Sequence, residues 1–396
     1  MPHLAHVIAL EPTAEQAHQF RCAAGCARFA YNWGLSRWKE LYKAGSKPTW
    51  MSLQREFVSR IDAEFPFMRS VPSSAYYQVF RHLGKAFARF FKKLGAYPQF
   101  KRKHGSPTTF KLVDVRCHDR SIVMPRIGAV RSRETLRFPG RIISATVRED
   151  AERWVISILV DVPAEIHHCQ HQADIPVVGI DLGLKALATF SDGTHVDAPK
   201  PLKRYVKRLR RSQRQLSRRH KGSKRRRRTQ IIIARLHRRI RSIRQSFLHP
   251  LTTRIIQNHG VIVIEDLHVK GMLKNHSLAR AISDVGWGEF RRQLTYKAER
   301  YGRKLLLAPR FFPSSKQCSH CGCVKETLSL KERIFDCEAC GLHLDRDHNA
   351  ARNLAHLHTA AEAGMNALGE PNLRKRAAVS GSTTGFVEER ISASHE

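Results

Sequence analysis

Cys318, Cys321, Cys337 and Cys340 form two Cys-x2-Cys knuckles separated by about 15 residues. This zinc-ribbon spacing places four thiolates tetrahedrally around one Zn2+, and no other feature of the chain dictates local geometry so tightly. Cys323 is an alternative ligand, but Cys321 preserves the two-residue knuckle. A closed four-thiolate site leaves no open coordination position, so Zn2+ here is expected to be structural. The chain has nine cysteines, five of them between 318 and 340. That clustering fits metal ligation in a reducing compartment better than a disulfide framework.

Charge is the second constraint. The 396 residues include 70 Lys and Arg against 34 Asp and Glu, a formal charge of +36. An excess of this size repels itself in a lone compact protein and calls for a polyanionic partner. At roughly 150 residues per domain, the length predicts two or three domains. No stretch approaches the roughly 18 apolar residues of a membrane span, and Met1–His6 lacks the pattern of a secretory signal. A soluble, intracellular, nucleic-acid-binding protein is expected.

The charge is concentrated from Leu202 to Leu248, where 20 of the 42 residues from Lys203 to Arg244 are Lys or Arg. No acid occurs between Asp197 and Glu265. Ile233, Leu236, Ile240, Ile243 and Phe247 step by three and four, which predicts an antiparallel helical hairpin turning near Gly222-Ser223. Like charges one turn apart destabilise a helix unless neutralised, and a phosphate backbone neutralises them. The candidate contacts are Lys203, Arg204, Lys207, Arg208, Arg210, Arg211, Lys224, Arg225, Arg226, Arg227 and Arg228.

Elsewhere the periodicity alternates. His6–Leu10 reads as a strand, and Thr13 with Gln16 forms a capping box that opens a helix. Ser74–Leu94 is helical, with aromatic residues on one side and Arg and Lys interleaved. Four short β-type runs follow, at 110–113, 121–124, 142–147 and 154–162, giving an antiparallel barrel or sheet. Pro163–Ile175 reads as a linker; His167, His168, Cys169 and His171 in it crowd too closely to wrap a metal well. Trp287–Tyr301 is predicted helical, Leu305–Leu307 a strand, and Leu344–Leu354 a helix start. Beyond about His358 periodicity ends, and a loosely ordered tail is expected.

Three acids stand at the ends of such elements. Asp181 follows the apolar run Val177–Ile180, Glu265 follows Val261–Ile264, and Asp347 opens a helix. Carboxylates from adjacent strands and one helix can converge on two divalent cations, a pairing suited to phosphodiester hydrolysis.

Together, Gly179-Ile-Asp-Leu-Gly183, Ile264-Glu-Asp-Leu267, the knuckles and Asp345-Arg-Asp-His-Asn-Ala-Ala351 resemble the three split RuvC motifs of the TnpB (OrfB) family. The flanks Phe312-Pro-Ser-Ser-Lys-Gln317 and Tyr97-Pro-Gln-Phe-Lys101 resemble it too, and the likeness runs from about residue 6 to 355. These are transposon-encoded RNA-guided nucleases related to type V CRISPR effectors.

The resemblance implies an α/β architecture in which an RNase H-like (RuvC) nuclease carries an inserted zinc ribbon. It adds a helical recognition domain and a small antiparallel β-barrel (wedge). The expected boundaries are 1–10 for the first wedge strand, 11–105 for the helical domain and 106–173 for the wedge. The nuclease follows at 174–354, with the basic hairpin at 202–248 and the ribbon at 315–341, and a flexible tail at 355–396. By position the resemblance carries Asp181, Glu265 and Asp347 over as the triad for catalytic Mg2+, two ions in the family's scheme, with Asp266 and Asp345 as competing neighbours. The implied partners are a guide RNA derived from the transposon end and double-stranded target DNA, opened beside a short transposon-adjacent motif. A monomer in a prokaryotic cytoplasm, associated with the nucleoid, is favoured. The alternatives are a nuclease-inactive or unguided nucleic-acid-binding accessory, and a transposase.

Overall fold

The computed structural model describes residues 3–103, 107–163, 176–329 and 332–367, with side chains as far as His358. The crowded His167–His171 cluster lies outside them. The described residues are mixed α/β and divide into two units, one from Met1–His171 with Lys200–Phe247, the other from Gln172–Pro199 with Leu248–Glu396.

In the first unit, strand β1 (His3–Glu11) leads into helices α1 (Ala14–Lys43), α2 (Trp50–Glu64) and α3 (Ser73–Phe91). The capping box forms as expected: the Gln16 amide donates to Thr13 Oγ1 at 3.2 Å, and the Thr13 amide to Gln16 Oε1 at 3.1 Å. Six further strands follow: β2 (Thr109–Leu112), β3 (Arg116–His118), β4 (Ser121–Met124), β5 (Gly128–Ser132), β6 (Arg141–Asp150) and β7 (Arg153–Asp161). They join β1 in an antiparallel sheet of order β2-β6-β7-β1-β5-β4-β3. Among the described residues no ladder joins edge strands β2 and β3, so by hydrogen bonding the element is a sheet, one of the two forms expected. The alternating inward residues of β6 and β7 meet Phe20 of α1, whose ring lies 4.9 Å from that of Trp154. Sheet and helices thereby share one core.

The basic segment folds as α4 (Pro201–Arg218) and α5 (Lys224–Asn258), with Gly222 at φ 89° in the connection. The predicted turn is there, but α5 continues ten residues past Leu248 and carries Pro250 inside it. Of the apolar seam, Leu236 and Ile240 are buried and the rest half-buried. Three α5 arginines hold the β6–β7 turn. Arg238 donates to the Asp150 and Ala151 carbonyls at 2.7 and 2.8 Å, while Arg235 and Arg241 pair with Glu152 and Asp150.

The second unit is built on a sheet of β8 (Val177–Asp181), β9 (Ala188–Phe190), β10 (His195–Val196), β11 (Val261–Glu265) and β12 (Lys304–Ala308). Its order is β10-β9-β8-β11-β12. β8, β11 and β12 run parallel; β9 pairs antiparallel with β8, and β10 antiparallel with β9. Short helices α6 (Val269–Met272) and α7 (Ala279–Val285) precede α8 (Trp287–Arg300). The first knuckle precedes a hairpin of β13 (Ile334–Asp336) and β14 (His343–Asp345), the second lies in its turn, and β14 runs directly into α9 (Arg346–Ala367).

Two expectations change here. Leu344 and Asp345 are strand rather than helix, so the ribbon's pairing extends past residue 341. The helix reaches Ala367, so residues 355–367 are not an irregular tail. Leu354 and Leu357 pack on Val263 and Ala308, tertiary burial that carries the helix beyond the point where the local pattern fades.

α9 lies so close to β8 that a Cβ on Gly179 would stand 2.0 Å from the Ala351 carbonyl oxygen and 2.5 Å from the Ala355 nitrogen. Both are backbone atoms, so a side chain there must displace the helix. Gly179→Ala is therefore expected to destabilise the second unit by about 3 kcal/mol or more, read as a fall in thermal midpoint.

Candidate metal centres

The parallel register aligns Val177 with Val261 and Ile180 with Ile264, so Asp181 and Glu265 are the next residue on adjacent strands. Side chains at matching positions of parallel neighbours share a face, about 4.8 Å apart. Both acids thus emerge side by side at the carboxyl ends of the strands, where open α/β sheets bind ligands. Asp347 reaches the same place from the first turn of α9, which the Gly179 contact holds against β8.

The electrostatics reflect this convergence. Asp181 is buried, and its carboxyl is pushed well above the usual range by burial, then by Glu265 and Asp347. Glu265 is also raised, chiefly by burial and in part by Asp347, against a hydrogen bond that Ser314 Oγ donates to its Oε1 at 2.8 Å. Arg346 Nη2 lies 3.3 Å from Asp347 Oδ1. A cavity of about 60 Å3 opens beside Glu265 and Ser314, larger than the roughly 10–15 Å3 that one water requires. Carboxylates that resist ionising together are a donor set suited to hard divalent cations.

The competing acids have other work. Asp266 accepts Arg310 at 2.8 Å and Arg291 at 2.6 Å, and those guanidiniums, Arg310 foremost, hold its carboxyl below the usual range. Asp345 caps α9, its Oδ1 accepting the amides of Asp347 at 2.9 Å and His348 at 3.1 Å. Helix capping by Asp is a familiar sequence signal, and the Asp-Arg-Asp run contained it.

Sequence reasoning assigned no role to Ser314, Asn349 or Asn353. Asn349 Nδ2 donates to the Gln317 carbonyl at 2.7 Å and its Oδ1 accepts the Ser319 amide at 2.9 Å. Asn353 Nδ2 donates to the Ser314 carbonyl at 2.8 Å and the Gln317 carbonyl at 2.6 Å. The helix bearing Asp347 thereby fixes the segment from the Glu265 partner to the first knuckle. Two polar residues at i and i+4 just inside an apolar helix face were the available clue.

The four cysteines come together, with all sulfurs within 4.8 Å of one another. Cys318 and Cys340 Sγ are 3.6 Å apart, and Cys321 and Cys337 Sγ 3.5 Å. Tetrahedral Zn–S bonds of about 2.3 Å set sulfurs about 3.8 Å apart, so the donor set fits Zn2+. Cys323 is exposed and outside the cluster. Under the cysteines, among the described residues, the ribbon packs around Phe335 with Leu342 against it.

The basic candidates are carried on α4 and at the start of α5; Lys203, Arg204, Lys207, Arg208, Arg210, Arg211, Lys224, Arg225, Arg227 and Arg228 are exposed. Arg226 is half-buried and turned inward, donating to the Leu216 and Arg219 carbonyls across the connection. Among the described residues, no helix is long and apolar enough to cross a membrane.

Fold and sites together define a mixed α/β protein in which Asp181, Glu265 and Asp347 act on one another electrostatically and in which, among the described residues, the four cysteines form a cluster whose donors suit zinc. Residues 157–276 match the OrfB family of IS605, described as "Probable transposase". Residues 287–354 match the "Cas12f1-like, TNB domain". Residues 1–47 match an OrfB "Helix-turn-helix domain", although this segment forms β1 and α1. A Streptomyces pristinaespiralis protein named "Putative RNA-guided DNA endonuclease" is 37% identical over 89% of this chain and 88% of its own. Escherichia coli K12 InsQ, named in the same words, is 33% identical over 87% of this chain and 90% of its own. The chain belongs to the OrfB (TnpB) family. A cryo-EM structure of a Cas12f1–sgRNA–target DNA complex covers 90% of this chain and 99% of its own at 15% identity, with a TM-score of 0.33. That overlap is too loose to carry an argument.

Proposed function

We propose that this protein is an RNA-guided DNA endonuclease of a mobile element, cutting target DNA by metal-dependent phosphodiester hydrolysis. The observation that carries the reading is the convergence of Asp181, Glu265 and Asp347, which raises the Asp181 and Glu265 carboxyls together. The strand order β10-β9-β8-β11-β12, with acids at the ends of its two central parallel strands, supports an RNase H-like nuclease domain. The family membership and the printed names of the relatives support RNA guidance. On this reading the helical segment 11–105 and the sheet of the first unit grip guide RNA and target duplex, and a transposon-adjacent motif starts duplex opening.

Asp181, Glu265 and Asp347 would hold two Mg2+ ions, and Cys318, Cys321, Cys337 and Cys340 one structural Zn2+. Bound between the acids, the divalent ions supply an activated water and charge neutralisation at the leaving oxygen. The chain's own part is positional. β8 and β11 fix two carboxylates in register, α9 brings the third, and Ser314 orients Glu265 through its hydroxyl. The Arg310 and Arg291 pairs keep Asp266 turned to its own partners.

The test is to express the protein with its flanking DNA, sequence the co-purified RNA, and assay Mg2+-dependent cleavage of matched targets. A discrete RNA ending in flanking sequence, together with guide-matched cuts, is expected. Bulk cellular RNA with unguided nicking would favour an unguided nuclease. A companion result is a steep salt response. With six to ten phosphate contacts, RNA affinity should fall by about 10³-fold or more between 50 and 200 mM salt. A flat response would remove the phosphate-gripping role of α4 and α5.

A further inference from the structure

Away from the acids, the first unit holds a cavity of about 430 Å3 between α4, α5 and the start of β7. Its apolar lining is the buried Leu236 and the exposed Ile232. Five guanidiniums line it, and no carboxylate does. Two of them are committed to the β6–β7 turn. Arg238 is bonded to the Asp150 and Ala151 carbonyls, and Arg235 is paired with Glu152. Arg239 lies over the Tyr205 ring, 5.7 Å from its centroid, which steadies the guanidinium while leaving its N–H groups available. Arg153 and Arg208 have no ion pair or hydrogen bond among the described side chains. Burial, followed by the charge of Arg153, lowers Arg238 from its ordinary range, so cations crowd one another here.

The committed arginines therefore act as struts, and three open ones from three elements converge on one concave space. Three guanidiniums facing one concave space beyond the Glu152 and Asp150 pairs make it attractive to an anion. A bare phosphate would leave most of the volume and the apolar lining uncovered. A planar base with its phosphate fills both, because guanidinium planes and aliphatic side chains accept unstacked bases and the fork of Arg suits phosphate oxygens.

We propose that this pocket takes a single nucleotide unit of the bound RNA, unstacked from its neighbours, with its phosphate held by Arg153, Arg208 and Arg239 and its base on Ile232 and Leu236. The proposal rests on the RNA-binding reading above and deepens it. The basic helices then do more than attract a polyanion, since one position of the strand has a built seat.

The experiment titrates the full-length protein with adenosine 5′-monophosphate, inorganic phosphate and adenosine as separate probes. A labelled single-stranded RNA is titrated in parallel. Adenosine monophosphate is expected to bind at least about tenfold more tightly than either fragment, since base stacking and phosphate pairing add. Combined Arg153→Ala, Arg208→Ala and Arg239→Ala should erase that preference. The charge-matched set Arg214→Ala, Arg218→Ala and Lys221→Ala, all exposed, should retain it. Equal binding of monophosphate and inorganic phosphate would overturn the pocket, as would an unchanged preference in the first triple variant. If the labelled RNA fails to bind while the monophosphate does, the RNA reading fails instead and the pocket serves a free nucleotide.

Discussion

Asp181→Asn is expected to abolish Mg2+-dependent cleavage while making the metal-free protein more stable. On the proposed reading the loss follows from removing a metal ligand between two others. Metal-held charge is worth several kcal/mol in the transition state, and each 1.4 kcal/mol is tenfold, so the rate should fall by at least about 10³-fold. The gain in stability follows from burial. Asp181 is 8% exposed and faces Glu265 and Asp347, so without cations its charged form is disfavoured. An amide of nearly the same shape removes that repulsion, worth roughly 1–2 kcal/mol.

The pH dependence has a definite sign. A carboxyl raised above its ordinary value near 3.8 keeps its proton in the folded state after the unfolded chain has lost it. Stability of the metal-free wild type therefore falls as pH rises from that value through the raised pKa. The asparagine variant lacks the Asp181 part of this fall, so its advantage should be small near pH 4 and larger near pH 8. Mg2+ should close the gap by stabilising the wild type alone. Thermal melts in chelator and in Mg2+ across this range, with cleavage assays beside them, check both halves. A variant that is less stable at every pH would show that Asp181 is a structural partner rather than a charge held for a metal.

Cys318→Ser has the second large expected effect. Among the described residues of the ribbon, the apolar cluster is Cys318, Phe335 and Cys337, with Leu342 against it. So small a core cannot hold a hairpin and two knuckles unaided, and on the proposed reading bound zinc would supply the folding energy, about 10–16 kcal/mol in comparable small sites. The variant should lose its one equivalent of zinc and expose the segment 315–345 to protease. Cleavage should also fall although no acid is touched. The Gln317 carbonyl and the Ser319 amide flank Cys318, and Asn349 and Asn353 bind them from the helix that carries Asp347. Zinc content by elemental analysis, limited proteolysis and single-turnover cleavage check the chain of effects. Unchanged zinc content would remove Cys318 from the ligand set.

Much of this was legible before any coordinates. The capping box at Thr13 uses only residues three apart, and it forms as read. The runs ending in Asp181 and Glu265 are strands because three consecutive residues of each, Val178–Ile180 and Ile262–Ile264, are buried within a sheet. β3 and β5 passed unread, since Arg116–His118 and Gly128–Ser132 have no apolar run and become strands by pairing with β4 and β1. The competition among neighbouring acids was equally opaque. Only long-range partners turn Asp266 to Arg291 and Arg310, while the helix end claims Asp345.

The sequence by itself determined which chemical groups this protein has and how they are spaced locally: four thiols in two knuckles, acids at strand ends, and a basic segment without a compensating carboxylate. Those are consequences of residue type and short-range periodicity. Tertiary structure decided which groups meet. β8 and β11 are about 80 residues apart in sequence and adopt one register through a parallel pairing that no local signal encodes. A glycine at 179 then lets α9 close on them, completing the cluster by backbone contact. The arginines of α4, α5 and β7 are likewise scattered charges until the β6–β7 turn is held by some of them, leaving the others around a common cavity.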